Sequence, residues 1–143
     1  DAHSRLGVRA NADTPDDAAR AIRYGAKGIG LCRTERMFNA GDRLPIVVDM
    51  SGADTPEQRR AALDRLLPIQ RADFAGLFKA MAPHPVTIRL LDVGGDKPIP
   101  YLPIAEEANP FLGVRALRLA PERPELFVTQ LRAAMRAARC CLL

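Results

Sequence analysis

The hydrophobic positions of this chain fall into short apolar runs and longer stretches with helical spacing. The short runs predict three strands, at 7–11, 28–32 and 86–91, the last of them buried on both faces. Between the strands, apolar residues recur at intervals of three and four, which is typical of amphipathic helices. Strands that alternate with helices in this way predict an α/β fold with a parallel sheet.

Two of the predicted helices carry clear start signals. Thr14 is a candidate N-cap, Pro15 occupies the first helical position, and Gly25 closes a helix that ends near residue 24. Thr55, with Gln58 three residues later, predicts a capping box at the start of a second and longer helix.

The remaining segments are less regular. Pro68 lies inside the long helical pattern and predicts a kink or a break, because proline removes a helical hydrogen bond. The segment 39–54 predicts an irregular loop, with room for one helical turn, and 98–110 predicts a proline-rich loop. A last helix is predicted at 124–138. Its expected apolar face contains Leu126, Leu131, Ala134 and Met135.

Composition excludes several classes of protein. Hydrophobic residues are 48% of the 143 residues and charged residues 27%, as in ordinary globular domains. Aromatic residues are 5% and the net charge of +4 is spread along the chain, so no nucleic-acid partner is predicted. No apolar stretch approaches the roughly 18 residues of a transmembrane helix, so no membrane partner is predicted either. Three cysteines indicate a reducing, cytoplasmic setting, and Cys32, within a strand, is expected to be a small buried hydrophobe.

Two strands end in an arginine followed by a carboxylate. Arg33 precedes Glu35, and Arg89 precedes Asp92. A guanidinium in an apolar run is costly unless it is paired or points into a site, and the ends of parallel strands are where α/β proteins bind ligands. Because the guanidinium matches phosphate and carboxylate, two such arginines predict a small, doubly anionic substrate. An ordinary Arg89–Asp92 ion pair is the alternative.

Arg115 is a third candidate, in a segment that resembles a helix start. The alternative is that Arg115 and Arg118 belong to the solvated face of that helix. Neither histidine is a strong candidate: His84 is expected to be an exposed loop residue, and His3 lies in the N-terminal segment.

Several longer motifs resemble the barrel domain of the phosphoenolpyruvate-utilising enzymes. The resemblance covers roughly residues 7–138 and involves two branches of one superfamily. Similar to pyruvate phosphate dikinase are GIGLCRTE at 28–35, MF at 37–38, GDR at 41–43, LPIQRADF at 67–74 and TIRLLD at 87–92. Similar to enzyme I of the phosphoenolpyruvate:sugar phosphotransferase system are GGDK at 94–97, PYL at 100–102 and the segment 106–118.

The resemblance implies a fold and a domain organisation. A full (β/α)₈ barrel needs about 250 residues, so this chain is expected to be a truncated, partial (β/α)₈ barrel of about the first three to four βα units. It is expected to form a single domain over 1–143, with frayed or divergent ends at 1–5 and 139–143.

The resemblance also implies a substrate site. In that family, the arginines that match Arg33 and Arg89 hold the phosphate and carboxylate of phosphoenolpyruvate, and the one that matches Arg115 lies close to the phosphate. The reaction is phosphoryl transfer between phosphoenolpyruvate or pyruvate and a histidine on a separate domain, with Mg²⁺ as cofactor. The family's magnesium ligands and proton-donating cysteine lie on later strands, beyond Leu143, so no catalytic residue is predicted here.

The expected partners follow from the missing parts. They are phosphoenolpyruvate or pyruvate, the remaining barrel strands and a phosphohistidine domain, and the chain is expected to be inactive alone. The alternative is a non-catalytic half-barrel remnant that self-associates or binds a partner through open sheet edges. A homo-oligomer is expected in either case. The branch of the superfamily and the phosphoryl acceptor stay open.

Overall fold

The computed structural model describes residues 5–38, 41–94, 105 and 107–141. Within these ranges, three parallel strands form one sheet in the order β1-β2-β3. The strands are β1 (Ala10–Asn11), β2 (Ile29–Arg33) and β3 (Val86–Arg89). The helices are α1 (Pro15–Arg23), α2 (Thr34–Phe38), α3 (Leu44–Ser51), α4 (Pro56–Met81) and α5 (Pro124–Cys141), and a 3₁₀ turn spans Ala116–Leu119. The predicted α/β class is confirmed, and the parallel sheet is consistent with part of a barrel.

The strands are shorter than the apolar runs that predict them. Only Ala10 and Asn11 of the first run pair with β2, and the exposed residues before them do not belong to the strand. The third strand stops at Arg89 rather than at Leu91, because the N–H of Leu91 donates to the side chain of Gln130 (2.9 Å) instead of to a neighbouring strand. The prediction that β3 is buried on both faces is also wrong, because Thr87 of this edge strand is exposed.

Both predicted helix starts are confirmed. The Thr14 hydroxyl accepts a hydrogen bond from the Asp17 N–H (3.1 Å), and Gly25 after the helix has a φ of 91°, which favours glycine. At the start of α4, the Thr55 hydroxyl accepts from the Gln58 N–H (3.2 Å), and the Gln58 side chain accepts from the Thr55 N–H (3.3 Å). These reciprocal bonds are the capping box that the sequence predicts.

The structure departs from the sequence prediction at two points in the middle of the chain. The segment 39–54 contains α3 rather than an irregular loop, because Val47 and Met50 turn inward and pack in the core. Of the kink or break that Pro68 predicts, the break does not occur: α4 runs without interruption over 26 residues, and Pro68 lies on its exposed side. The helix is held by packing on both sides of the proline, which outweighs the lost hydrogen bond.

The predicted face of the last helix is only partly correct. Leu126 is buried, but Leu131 is 46% and Met135 68% exposed. The small residues Ala133 and Ala137 face the core instead, because they allow α5 to approach α4 closely. Most of the proline-rich loop predicted at 98–110 lies outside the described residues. The described helices include none that is long and apolar enough to cross a membrane.

The interior contains two hydrophobic clusters with a polar layer between them. The upper cluster joins α3 and the segment after β3 to the first halves of α4 and α5, and includes Leu66, Leu91 and Leu126. The lower cluster joins β2 to the second halves of the same helices, and includes Ile29 and Phe74. Gln70 of α4 (1% exposed) and Gln130 of α5 (0% exposed) lie between the clusters. The upper cluster includes residues that follow β2 and β3 in the sequence, so it packs next to the strand ends, where the candidate site lies.

Candidate anion site at the strand ends

The register of the sheet places two of the predicted arginines side by side. Arg33 and Arg89 are the last residues of β2 and β3 and are paired across the two strands. The buried hydroxyl of Thr34 donates to the Arg89 carbonyl (3.0 Å) and ties the two strand ends together. Because paired residues of neighbouring strands point to the same face, both arginine side chains leave the sheet on one side.

Asp13 is the partner of Arg33. Its Oδ2 accepts from Arg33 Nη2 (2.8 Å), and its Oδ1 accepts from both the backbone N–H (2.7 Å) and Nε (3.3 Å) of Arg33. The hydrogen bond with Asp13 raises the pKa of Arg33, so the guanidinium stays charged. Arg36 Nε also lies 3.5 Å from Asp13 Oδ2. The 7% exposed carboxylate of Asp13 thus orients Arg33 at the strand end.

Arg89 and Arg115 share a carboxylate. Arg89 Nη2 donates to Glu35, and Arg89 Nη1 lies 3.2 Å from Asp92 Oδ2. The other oxygen of Asp92 accepts from Arg115 Nη2 (2.9 Å) and Nε (3.2 Å). The Arg115 guanidinium also lies over the ring of Phe111, 5.4 Å from its centroid. Asp92 therefore joins the second and third arginines of the sequence prediction.

The structure brings all three predicted arginines to one region. The register connects Arg33 to Arg89, and Asp92 connects Arg89 to Arg115. The Arg89–Asp92 ion pair that the sequence offered as an alternative is present. The solvated-helix alternative is wrong for Arg115, whose side chain is 14% exposed, but it does describe the exposed Arg118.

Sequence reasoning missed three residues that organise this region. Asp13 follows β1 just as Glu35 and Asp92 follow their strands, so its position after an apolar run was a usable signal. Thr34 and Gln130 gave no such signal, because their partners, Arg89 and Leu91, are distant in the sequence.

A surface groove of about 420 Å³ opens beside Arg33. It extends from the ends of β1 and β2 along α1, and Tyr24 lies at its far side. The charged side chains along it are Asp13, Asp17, Arg20, Arg33 and Arg36. Three guanidiniums against two carboxylates leave this opening with an excess of positive charge.

Arg43 and Asp73 form an ion pair that connects two other sequence motifs. Arg43 of the GDR segment donates to Asp73 of the LPIQRADF segment over 2.7 Å. Burial raises the pKa of Asp73, and the charge of Arg43 opposes that shift. This contact connects the start of α3 to the middle of α4, so these two motifs have a structural role.

The part of the chain that the structure describes does not form a metal site. It contains no group of three or more His, Cys, Asp or Glu side chains that could hold a metal ion. The carboxylates nearest the arginines, Asp13, Glu35 and Asp92, each bind a guanidinium instead. The described residues therefore do not fit the Mg²⁺ that the family resemblance implies.

Cys32 and His84 lie outside the charged network. Cys32 of β2 is fully buried, and the prediction of a small buried hydrophobe is confirmed. Burial, helped by the nearby Asp13 and Glu35, raises the pKa of its thiol to about 12. His84 is half-buried rather than exposed, and its backbone N–H donates to the Met81 carbonyl (2.7 Å) at the end of α4. His3 lies outside the described residues.

We expect Cys32 to resist alkylation in the folded chain at pH 8, since only a thiolate reacts and burial disfavours it. Exposed Cys140 is the internal comparison and should react at the same pH. Peptide mapping by mass spectrometry before and after denaturation in urea measures both. Rapid labelling of Cys32 in the folded chain would contradict this prediction.

The raised pKa of Cys32 also affects stability. Above about pH 9 the thiol ionises in the unfolded chain but not in the folded chain, so the free energy of unfolding should fall as the pH rises further.

The fold and this region define a class: an α/β protein whose parallel strands end in a cluster of arginines and carboxylates. The chain belongs to the phosphoenolpyruvate-utilising enzymes. A sequence model described as "PEP-utilising enzyme, PEP-binding domain" matches residues 1–142.

Several curated proteins resemble the chain over most of its length. It is 46% identical to pyruvate, phosphate dikinase 1, chloroplastic, of Arabidopsis thaliana, over 96% of this chain and 17% of that protein. It is 47% identical to the chloroplastic pyruvate, phosphate dikinase of Flaveria pringlei, over 94% and 17% of the two chains. The pyruvate, phosphate dikinase of Entamoeba histolytica is 42% identical to the chain, over 93% of this chain and 18% of that protein. The chain thus spans less than a fifth of the length of these relatives.

Proposed function

We propose that the chain forms the phosphoenolpyruvate-binding part of a dikinase-type phosphotransferase, with Arg33, Arg89 and Arg115 as its substrate ligands. The observation that carries the proposal is the joining of these three arginines at one end of the sheet, through the register and through Asp92. The family membership and the dikinase relatives favour that substrate and that branch.

Phosphoenolpyruvate suits this arrangement because it presents two anionic groups, a phosphate and a carboxylate. A guanidinium can donate to either group, and neighbouring guanidiniums can hold both. The same positive groups would stabilise the charge that develops during phosphoryl transfer. In this proposal the phosphoryl group moves to or from a histidine on a separate domain, in a reducing, cytoplasmic setting.

The described residues would supply binding rather than the complete reaction. They offer three arginines for the substrate but no cluster of metal ligands. In the proposed enzyme, the magnesium ligands and the proton donor come from later strands of a (β/α)₈ barrel, of which this chain is about the first three to four units. The chain alone is therefore proposed to bind the substrate without turnover.

The experiment that tests this function is a titration of the purified chain with phosphoenolpyruvate, followed by thermal unfolding and calorimetry. A ligand that binds only the folded state stabilises it by RT ln(1 + [L]/Kd), so the unfolding midpoint rises with ligand concentration. We expect phosphoenolpyruvate to raise it more than pyruvate or inorganic phosphate at equal concentration, because only phosphoenolpyruvate can engage both kinds of anion contact. No shift with phosphoenolpyruvate in a folded chain would count against the proposal.

A second candidate function is self-association, favoured by the outer face of α5. Val128, Leu131 and Met135 form an apolar stripe there, and they are 42%, 46% and 68% exposed. We expect the chain to elute as a concentration-dependent oligomer in size-exclusion chromatography, and Met135→Glu to shift it towards the monomer, since a charge in an apolar contact is costly. Arg60→Glu is the control, at an exposed and already charged residue of α4, away from the stripe. A stable monomer at all concentrations would exclude this candidate.

A further inference from the structure

We propose that Asp92 is a positioning residue, which holds Arg89 and Arg115 as one receptor for the two anionic groups of the substrate. Gln130 of α5 supports it by fixing the backbone that carries the carboxylate. This inference rests on the proposed function and deepens it, because it assigns the spacing of the arginines to residues that do not themselves bind the substrate.

The contacts of Asp92 are suited to that role. One carboxylate oxygen lies 3.2 Å from Arg89 Nη1, and the other accepts from Arg115 Nη2 and Nε at 2.9 and 3.2 Å. The Asp92 side chain is only 11% exposed. Charge-assisted hydrogen bonds in a buried setting are strong and directional, so the two guanidiniums have a fixed separation and orientation.

Arg89 has one donor that the two carboxylates do not use. Its two terminal nitrogens bind Glu35 and Asp92, while Nε is buried and has no acceptor within the described ranges. A buried N–H without an acceptor is unfavourable, so the contacts with Glu35 and Asp92 must offset this cost to hold the guanidinium in place. Asp92 thus orients Arg89 without using all of its donors.

The backbone of Asp92 is anchored from α5. The N–H of Leu91, which precedes Asp92, donates to Gln130 Oε1 over 2.9 Å, and both residues are buried. This bond ends β3 and sets the direction in which the chain continues to Asp92. Gln130 lies in the polar layer between the two hydrophobic clusters, where packing restricts its side chain. A helix therefore determines where the shared carboxylate lies.

Two roles for Asp92 predict opposite results. If the carboxylate only competes with the substrate for the arginines, its removal should strengthen anion binding. If it positions them, its removal should weaken binding, because two unscreened guanidiniums repel each other and separate. The sign of the change in affinity distinguishes the two roles.

The test uses Asp92→Asn, which retains the size of the side chain and removes its charge. We expect the Kd for phosphoenolpyruvate, measured by calorimetry, to rise at least about tenfold, the order of effect of one lost charge-assisted contact. The Kd for inorganic phosphate should rise less, because one small anion does not need both arginines at a fixed spacing. Asp49→Asn is the matched control, since it removes a carboxylate from the exposed ion pair with Arg65.

A second variant, Gln130→Met, removes the acceptor for Leu91 at similar volume. We expect it to weaken phosphoenolpyruvate binding in the same direction and to a smaller extent, and it serves as the test if Asp92→Asn does not fold. Circular dichroism confirms folding of each variant. In each variant, the ratio of the Kd for phosphoenolpyruvate to the Kd for inorganic phosphate separates positioning from general damage, because general damage would weaken the binding of both ligands equally.

Tighter or unchanged phosphoenolpyruvate binding in Asp92→Asn overturns the positioning role and leaves the proposed function intact. Equal losses for both ligands overturn it as well, since they indicate structural damage. Failure of the parent chain to bind phosphoenolpyruvate overturns the proposed function, and the positioning role with it.

Discussion

Replacing Phe74 with alanine is expected to reduce the free energy of unfolding by about 3–5 kcal/mol, the usual cost of removing a buried aromatic ring. Phe74 is fully buried at the centre of the lower cluster, and its ring stacks on Phe78 with centroids 6.2 Å apart. It lies where α4 meets both the sheet and α5, so the cavity would disturb three elements. Small domains have only about 5–15 kcal/mol of stability, so this loss would be a large fraction of the total.

Urea denaturation monitored by circular dichroism measures this loss. Phe111→Ala is the matched control, because it removes the same atoms from a ring that is 67% exposed. Its cost should stay below about 1 kcal/mol, mainly from the contact with Arg115. Similar losses in the two variants would show that Phe74 does not anchor the core.

The double substitution Arg33→Ala, Arg89→Ala is expected to abolish the stabilisation of the chain by phosphoenolpyruvate. The two residues are neighbours at the ends of β2 and β3, and their side chains leave the sheet on the same side. Each lost charge-assisted contact costs on the order of 1.5–3 kcal/mol of binding, so removing both should weaken binding by at least about a hundredfold.

The comparison must be made on the ligand-dependent shift rather than on the unfolding midpoint. The substitutions also leave the carboxylates of Asp13 and Glu35 without their arginines, which lowers stability on its own. A control with Arg65→Ala, Arg132→Ala removes the same charge from exposed positions and should bind as the parent does. Lysine at positions 33 and 89 should restore part of the binding, because it keeps the positive charge but lacks the planar pair of donors of a guanidinium. An unchanged shift in the alanine variant would place the ligand elsewhere.

The sequence predicts most of what depends on neighbouring residues. The capping box at Thr55 is such a feature, because its partner lies three residues away. The arginines at the strand ends are another, since an apolar run and the residue that ends it are adjacent in the sequence. The α/β class follows from the alternation of two periodicities, which is also local.

The features that the sequence does not predict depend on distant contacts. α3 forms because Val47 and Met50 meet the upper cluster, although their own segment has no clear pattern. On α5, hydrophobicity alone favours Leu131 and Met135 as core residues, but close packing against α4 selects the small side chains of Ala133 and Ala137. The distance between α4 and α5, which the sequence does not show, determines which face of α5 is buried.

The polar layer at Gln70 and Gln130 has a consequence for motion. Two cores that are separated by buried amides can behave as two cooperative units, which open with different free energies. The unit that contains α3, Leu91 and the Asp92 backbone is distinct from the unit that holds the sheet. Opening of the upper unit would then move Asp92 relative to Arg33 and Arg89, which belong to β2 and β3, while those strands stay protected from hydrogen exchange.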